Sequence, residues 1–192
     1  MTDLREKIKD IINESIEAKK EFLETQVETI SSMAGAIIEA VKNGKKLIVF
    51  GNGGSAADSQ HIVAELIGRF KKERPPIPAI ALTTNTSTLT AIGNDYGYSM
   101  SFKRQLEGLG NRGDIALGIS TSGNAENVYE ALMSAKKLGL KIITMTGRSG
   151  GKISKLAEVA LKAPSDNTPR IQELHITVGH IICELVEDGL CK

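Results

Sequence analysis

Apolar residues in the first forty positions of this chain recur at helical spacing. Leu4, Ile8, Ile11, Ile12 and Ile16 form one stripe, and Val27, Ile30, Ala34, Ile37, Ile38 and Val41 form another. Residues three and four apart share a helix face, so both stripes predict amphipathic helices. Lys19 and Lys20 interrupt the pattern, which leaves either one bent helix or two successive helices before residue 44. Asn43-Gly44 supplies the stop, since glycine takes up the left-handed conformation that ends a helix. An apolar face this long exceeds what one α/β domain covers. Helix packing between subunits is the simplest account, with an intramolecular bundle as the plain alternative.

From residue 45 the period changes. Leu47 to Phe50, Ala79 to Leu82, Ile115 to Ile119, Lys141 to Met145 and Val159 to Ala163 read as short buried strands. Helices are expected after the first, third and fourth, and a last one from about Pro169, where Thr168 offers a hydroxyl cap and proline suits the first helical position. This alternation implies an α/β fold, a parallel sheet with helices on both faces. Arg74-Pro75-Pro76-Ile77-Pro78 is a rigid connection into the second strand, because proline fixes its backbone angle. No shift of composition marks a further boundary, so the chain divides into helices at 1–44 and one compact unit at 45–192.

Composition narrows the function. The chain has 192 residues, 41% hydrophobic, with 24 basic against 23 acidic side chains and a formal net charge of +1. That balance, together with 4% aromatic residues, argues against a nucleic-acid binder, which needs basic stripes and stacking rings. The N-terminus lacks an apolar signal region and no run approaches a membrane span, so a cytoplasmic protein is expected. Cys183 and Cys191 suit reduced thiols better than a disulfide framework.

Two loops carry the chemistry. Val49-Phe50-Gly51-Asn52-Gly53-Gly54-Ser55 ends an apolar run in glycines and opens a helix. Glycines let backbone N–H groups approach an anion, and a helix start adds unpaired donors and a positive dipole end. An ordinary tight turn would use the same residues. Ser120-Thr121-Ser122-Gly123-Asn124, however, repeats the arrangement after the third strand with three hydroxyls. If the two strands are adjacent, both loops line one crevice at the carboxyl ends of a parallel sheet, and a phosphorylated small molecule is the expected ligand. Simple serine and threonine caps are the plain alternative.

In the helix after the glycine loop, His61 and Glu65 are four apart and share a face. An imidazole and a carboxylate so placed can hold a metal or act as acid and base, although such a pair is commonly only a solvated surface pair. The last helix offers Gln172, His175 and His180. His180 lies about 80° around the helix from Gln172, and His175 about 60° to the other side. Helical geometry does not choose between the two histidines.

These residues together carry a resemblance. Gly51-Asn52-Gly53-Gly54-Ser55-Ala56-Ala57-Asp58, then His61, Glu65, Gly68-Arg69-Phe70, Gly93-Asn94-Asp95, Ser120-Thr121-Ser122-Gly123-Asn124 and Arg170-Ile171-Gln172-Glu173 through His180 resemble the phosphoheptose isomerase family of the sugar isomerase (SIS) superfamily. The resemblance runs from the N-terminal helices to the last helix. It implies a three-layer SIS fold at 45–192 and a homotetramer whose N-terminal helices form an inter-subunit bundle, with active sites between subunits. It also implies conversion of sedoheptulose 7-phosphate to D-glycero-D-manno-heptose 7-phosphate through an enediol, feeding lipopolysaccharide core. By position, Glu65 would be the base and His180 the acid. Ser120, Thr121 and Ser122 would hold phosphate, with Asn52, Gly53, Gly54, Ser55, His61, Glu65, Asn94, Asp95 and Gln172 completing the substrate site. His61, Glu65, Gln172 and His180 would hold one zinc ion per subunit.

Two positions depart from the family pattern. Pro169 stands where some members have aspartate, and Ala125 where serine is common. The competing expectation is a non-catalytic SIS tetramer that binds a replication initiator or another protein. Such a protein would not need His61, Glu65, Gln172 and His180 together.

Overall fold

The computed structural model describes residues 3–191; Met1, Thr2 and Lys192, which fall within the expected 1–44 and 45–192 ranges, lie outside the described residues. The opening stripes form two helices, α1 (Leu4–Thr25) and α2 (Val27–Lys42). Asp3 caps α1 by accepting the Arg5 N–H. The break falls at Gln26 rather than at Lys19 and Lys20, which lie exposed within α1. Gly44 ends α2 at a φ of +70°.

Then come β1 (Leu47–Gly51), α3 (Gly54–Ile67), β2 (Ala79–Ala81), α4 (Thr86–Tyr96), α5 (Ser101–Leu109), β3 (Ile115–Ser120), α6 (Glu126–Leu138), β4 (Lys141–Thr146), β5 (Val159–Lys162) and α7 (Thr168–Leu190). Two features correct the sequence pattern. A pair of helices, α4 and α5, fills the span after β2, where none was expected. α4 is rich in Thr, Ser, Asn and Gly, poor helix formers, and buries only Ile92; the Asn85 side-chain oxygen Oδ1, which accepts the Thr88 N–H, sets its start. After β4 the expected helix is a single 3-10 turn, Ile153–Leu156, because Gly147, Gly150 and Gly151 break the segment, the last two at positive φ.

All five strands are parallel, in the order β2-β1-β3-β4-β5. β1 and β3 are buried along their whole length, as strands covered on both faces must be. Leu47 and Val49 point to one side, with Met33 and Ile37 of α2, Ile62 and Leu66 of α3, and Leu174 and Val178 of α7. Ile48 and Phe50 point to the other, with Phe102 and Leu106 of α5 and Val128 and Leu132 of α6. Three layers result. Among the described residues no helix is long and apolar enough to cross a membrane, and both cysteines are free.

The proline-rich connection is locked by a buried ion pair. Arg74 donates from Nε to Glu187 at 2.9 Å, and its two terminal nitrogens donate to the carbonyls of Leu66 and Glu65, each at 2.8 Å. Those carbonyls belong to the last turn of α3, which has no further turn to bond. Glu187 of α7 also accepts the backbone N–H groups of Phe70, Lys71 and Lys72. Burial by itself would raise the Glu187 pKa. The three N–H groups and the guanidinium outweigh it and hold the carboxyl at about 2.

Since that pKa lies below the free value of 4.5, the stabilisation is full above pH 4.5 and is lost as pH falls from there towards 2. Glu187→Gln should lower unfolding free energy by about 3 kcal/mol at pH 7 and flatten its pH dependence in that acid window. Urea unfolding at several pH values measures both effects. A loss below about 1 kcal/mol would show that the pair is not an anchor.

Candidate functional site

β1 pairs with β2 on one side and β3 on the other, so the chain direction switches between β1 and β3. Loops leaving two such strands diverge and open a crevice at their carboxyl ends. The two loops picked out by sequence meet there, in a cleft of about 170 Å³ lined by Asn52, Ser55, Ser120, Thr121, Ser122, Ala125 and Gln172. Gly53, at a φ of +56°, makes the turn. The helices that follow, α3 and α6, have Gly53 and Ala125 as N-caps and neither receives a side-chain cap. In α3 the Ser55 and Ala56 N–H groups bond back to the Asn52 and Gly53 carbonyls, and in α6 the Val128 N–H bonds the Asn127 side chain, which leaves the N–H groups of Gly54, Glu126 and Asn127 open to an anion.

The hydroxyl loop rests on the β4–β5 connection. The Gly147 N–H donates to the Thr121 carbonyl at 2.9 Å, and the Ile153 N–H to the Gly123 carbonyl at 3.1 Å. Gly123 and Gly150 meet backbone to backbone: a Cβ on Gly123 would stand 2.3 Å from the Gly150 oxygen. On the other wall, Gln172 of α7 approaches Gly54 so closely that a Cβ there would lie 2.5 Å from its amide nitrogen.

Farther along the same two helices lies a second constellation. One donor atom each from His61, Glu65 and His180 falls within 4.8 Å of the others. His61 Nε2 is 3.1 Å from Glu65 Oε1 and 3.2 Å from His180 Nε2, and the Phe70 ring stacks on His180 at 5.9 Å. The two facing nitrogens at 3.2 Å bond only if one carries a proton and the other does not. His175 faces the opposite way. It is fully buried, its Nε2 donates to the Thr146 carbonyl at 3.1 Å, and burial pushes its pKa down to about 4 against that bond. The rotation of α7 thus places His180, and not His175, beside His61 and Glu65.

Asn94 and Asp95 lie exposed on α4, bonded to one another at 2.8 Å, and are not among the residues lining the cleft. Asp58, quoted only as part of a motif, proves relevant. One of its carboxylate oxygens is buried without a partner; burial raises its pKa while the nearby His61 and His180 act to lower it. Its position, three residues before His61 and seven before Glu65, was the available signal. A larger groove of about 670 Å³ runs beside α1, where Glu14, Glu17, Glu21, Glu24 and Asp166 stand against only Lys20 and Arg148. Its surplus of carboxylates repels a phosphate, so size does not locate the site.

Comparison with known proteins bears on the family and the fold. The SIS domain family matches residues 11–147. The phosphoheptose isomerase of Aquifex aeolicus is 56% identical over 97% of this chain and 98% of its own length. The chain belongs to the phosphoheptose isomerase family. Another member, from Sulfurimonas denitrificans, is 52% identical over 96% of this chain and 95% of its own. The phosphoheptose isomerase structures from Neisseria gonorrhoeae and Francisella tularensis superpose with TM-scores of 0.92 and 0.94, at 42% and 41% identity. They cover 96% and 98% of this chain, and 99% and 100% of their own. The phosphoheptose isomerase fold thus spans both constellations on α3 and α7.

The two glycines on the cleft walls differ in what they face. Gly54→Ala meets the end of a flexible side chain and should shift the melting temperature by no more than about 2 °C while driving Gln172 out of the cleft, visible in a crystal structure. Gly123→Ala meets backbone at positive φ and should lower stability by about 2 kcal/mol or more, several degrees in a thermal scan. Equal shifts for the two variants would contradict this assignment of the walls.

Proposed function

We propose that this chain is an aldose–ketose isomerase that converts sedoheptulose 7-phosphate to D-glycero-D-manno-heptose 7-phosphate through an enediol, the first step of a heptose route to lipopolysaccharide core. The observation that carries the reading is that α3 and α7, whose Gly54 and Gln172 wall the anion cradle, also carry the carboxylate–imidazole cluster. Gln172 and His180 are separated by about 12 Å along α7 at 1.5 Å per residue. An extended sugar phosphate held by Ser120, Thr121 and Ser122 points its carbonyl end towards the cluster, whereas a short ligand would not reach it. Asn52, Gly53, Gly54, Ser55, His61 and Gln172 would supply further substrate contacts, with Asn94 and Asp95 reaching from α4.

In this scheme Glu65 takes a proton from C1 while His180 gives one to the C2 oxygen, which forms the enediol. Glu65 then returns its proton to C2, and His180 recovers one from the C1 oxygen, which leaves the aldose. Oε1 of Glu65 faces His61, so Oε2 is the oxygen free to take the proton. The contact between His61 and His180 gives the acid a neighbour with which to share its proton.

Two imidazoles and a carboxylate form a donor set that suits zinc, and the unpartnered buried oxygen of Asp58 beside them favours a cation. His61, Glu65 and His180 would hold one ion per subunit, and Gln172, whose carboxamide lies at the cleft wall beside Gly54, would have to turn along α7 to join them. Bound zinc would act as a Lewis acid on a substrate oxygen. The alternative of a non-catalytic tetramer binding a protein leaves this cluster without a task.

Residues 1–44 would serve as oligomerisation helices of a homotetramer and 45–192 as its SIS unit. Leu4, Ile8 and Ile12 are 75%, 56% and 53% exposed on α1, a face that a neighbouring subunit would cover. The free thiols accord with a cytoplasmic setting.

The test is turnover of sedoheptulose 7-phosphate by purified protein, with added zinc and after chelation. Glu65→Gln and His180→Ala should each lower kcat by about a hundredfold or more with the fold intact. His175→Ala should keep kcat within about tenfold but melt earlier, because it empties a buried site. Wild-type protein that makes no aldose under either condition would refute the proposal. For the assembly, Ile8→Glu with Ile12→Glu should convert a tetramer to smaller species by light scattering; an unchanged mass would place the contact elsewhere.

A further inference from the structure

We propose that Asn127, in the first turn of α6, is a positioning residue that makes Asn52 a pure hydrogen-bond donor towards the bound sugar phosphate and ties the two loops of the cleft together. This inference rests on the sugar-phosphate reading above and says how one of its contacts is held.

Asn127 is 4% exposed, and each of its hydrogen-bonding positions is taken. Its Oδ1 accepts the Val128 backbone N–H at 3.0 Å. A backbone N–H can only donate, so that bond fixes which end of the carboxamide is oxygen. The same Oδ1 accepts from Asn52 Nδ2 at 2.8 Å. Asn127 Nδ2 donates back to Asn52 Oδ1 at 2.9 Å and to the Ser101 hydroxyl at 3.3 Å. The two carboxamides thus form a closed reciprocal pair between residues 75 apart in the chain.

Asn52 inherits its orientation from this pair. Its Oδ1 also accepts the Tyr98 hydroxyl at 3.2 Å, so both lone pairs are occupied. One N–H of its amide goes to Asn127, and the other is the single valence left over. Since Asn52 lines the cleft beside Ser55 and the hydroxyl loop, that N–H is what it can offer a ligand. It recognises an oxygen acceptor, as on phosphate or a sugar. Without Asn127 the Asn52 amide would be free to turn its oxygen inward, towards an anion it would repel. Asn52 follows β1 and Asn127 follows the loop after β3, so the same pair also sets the spacing of the two walls.

The experiment is steady-state kinetics on sedoheptulose 7-phosphate with wild type, Asn52→Ala, Asn127→Ala and the double variant. Each single change should raise KM about tenfold, the scale of one lost hydrogen bond, with kcat within about threefold. The double variant should be no worse than Asn52→Ala alone, since Asn127 acts through Asn52. A purely structural Asn127 would instead give multiplying effects. If Asn127→Ala does not fold, Asn127→Ser keeps an acceptor for the Val128 N–H and carries the same expectation. An unchanged KM in a folded Asn127 variant, or multiplying effects in the double variant, would overturn this inference while leaving the isomerase reading in place. An inactive wild type would overturn both.

Discussion

The close approach of α3 and α7 is the constraint on which the site depends. It is set where a side chain is missing: a Cβ on Gly179 would stand 2.9 Å from Ile62. With that glycine in place, the helices come together at two levels. The lower contact brings Gln172 to the cleft wall, and the upper brings His180 to His61. A wider spacing would leave both constellations intact on their own helices and separate from each other. Dense packing makes such a displacement costly, since Ile62 and Val178 are already buried against the sheet.

The cleft end and the cluster on α3 and α7 differ in charge in a way that would separate binding from proton transfer. The cleft end has hydroxyls and two helix N-termini without side-chain caps, and no basic side chain lines it. Each helix end contributes from a few tenths to about 2 kcal/mol towards an anion. The nearby Arg148 is already occupied, bonded to both oxygens of Glu21 on α1. The proposed recognition would therefore be built from short, directed N–H and O–H donors. Such donors would fix where a phosphate sits, whereas a flexible cation would mostly attract it. That precision would matter in the proposed reaction, whose carbons lie at the far end of the ligand.

Much of this was legible in the chain, for identifiable reasons. Apolar runs ending in glycines announced the strands and the loops after β1 and β3, because a strand buried on both faces has no polar alternation to obscure it. Their adjacency was not legible, since β2 intervenes in sequence and only the crossover places β3 on the other edge of β1. α4 was hidden by its threonines and asparagine, which favour turns when read alone. Which histidine of α7 faces His61 depended on the rotation of that helix, which packs Gly179 against Ile62. Asn127 gave no signal, because its partner lies on another loop. Glu187 stands between Glu184 and Asp188, and nothing in its spacing marks it as the buried one.

Glu187 shows where the precision at the site originates. Through Arg74 it holds the carbonyl of Glu65 itself, together with that of Leu66, so the main chain carrying the proposed base is pinned from outside the site. The same carboxylate grips the backbone from Phe70 to Lys72, and the Phe70 ring lies against His180. One buried acid on α7 therefore fixes both the helix end that presents Glu65 and the ring that backs the proposed acid. The functional side chains need supply none of that rigidity. His61 is about half exposed and Glu65 about a quarter, which leaves them open to a substrate. Rigidity lies in the buried pair one layer behind, and reactivity in groups that remain open to solvent.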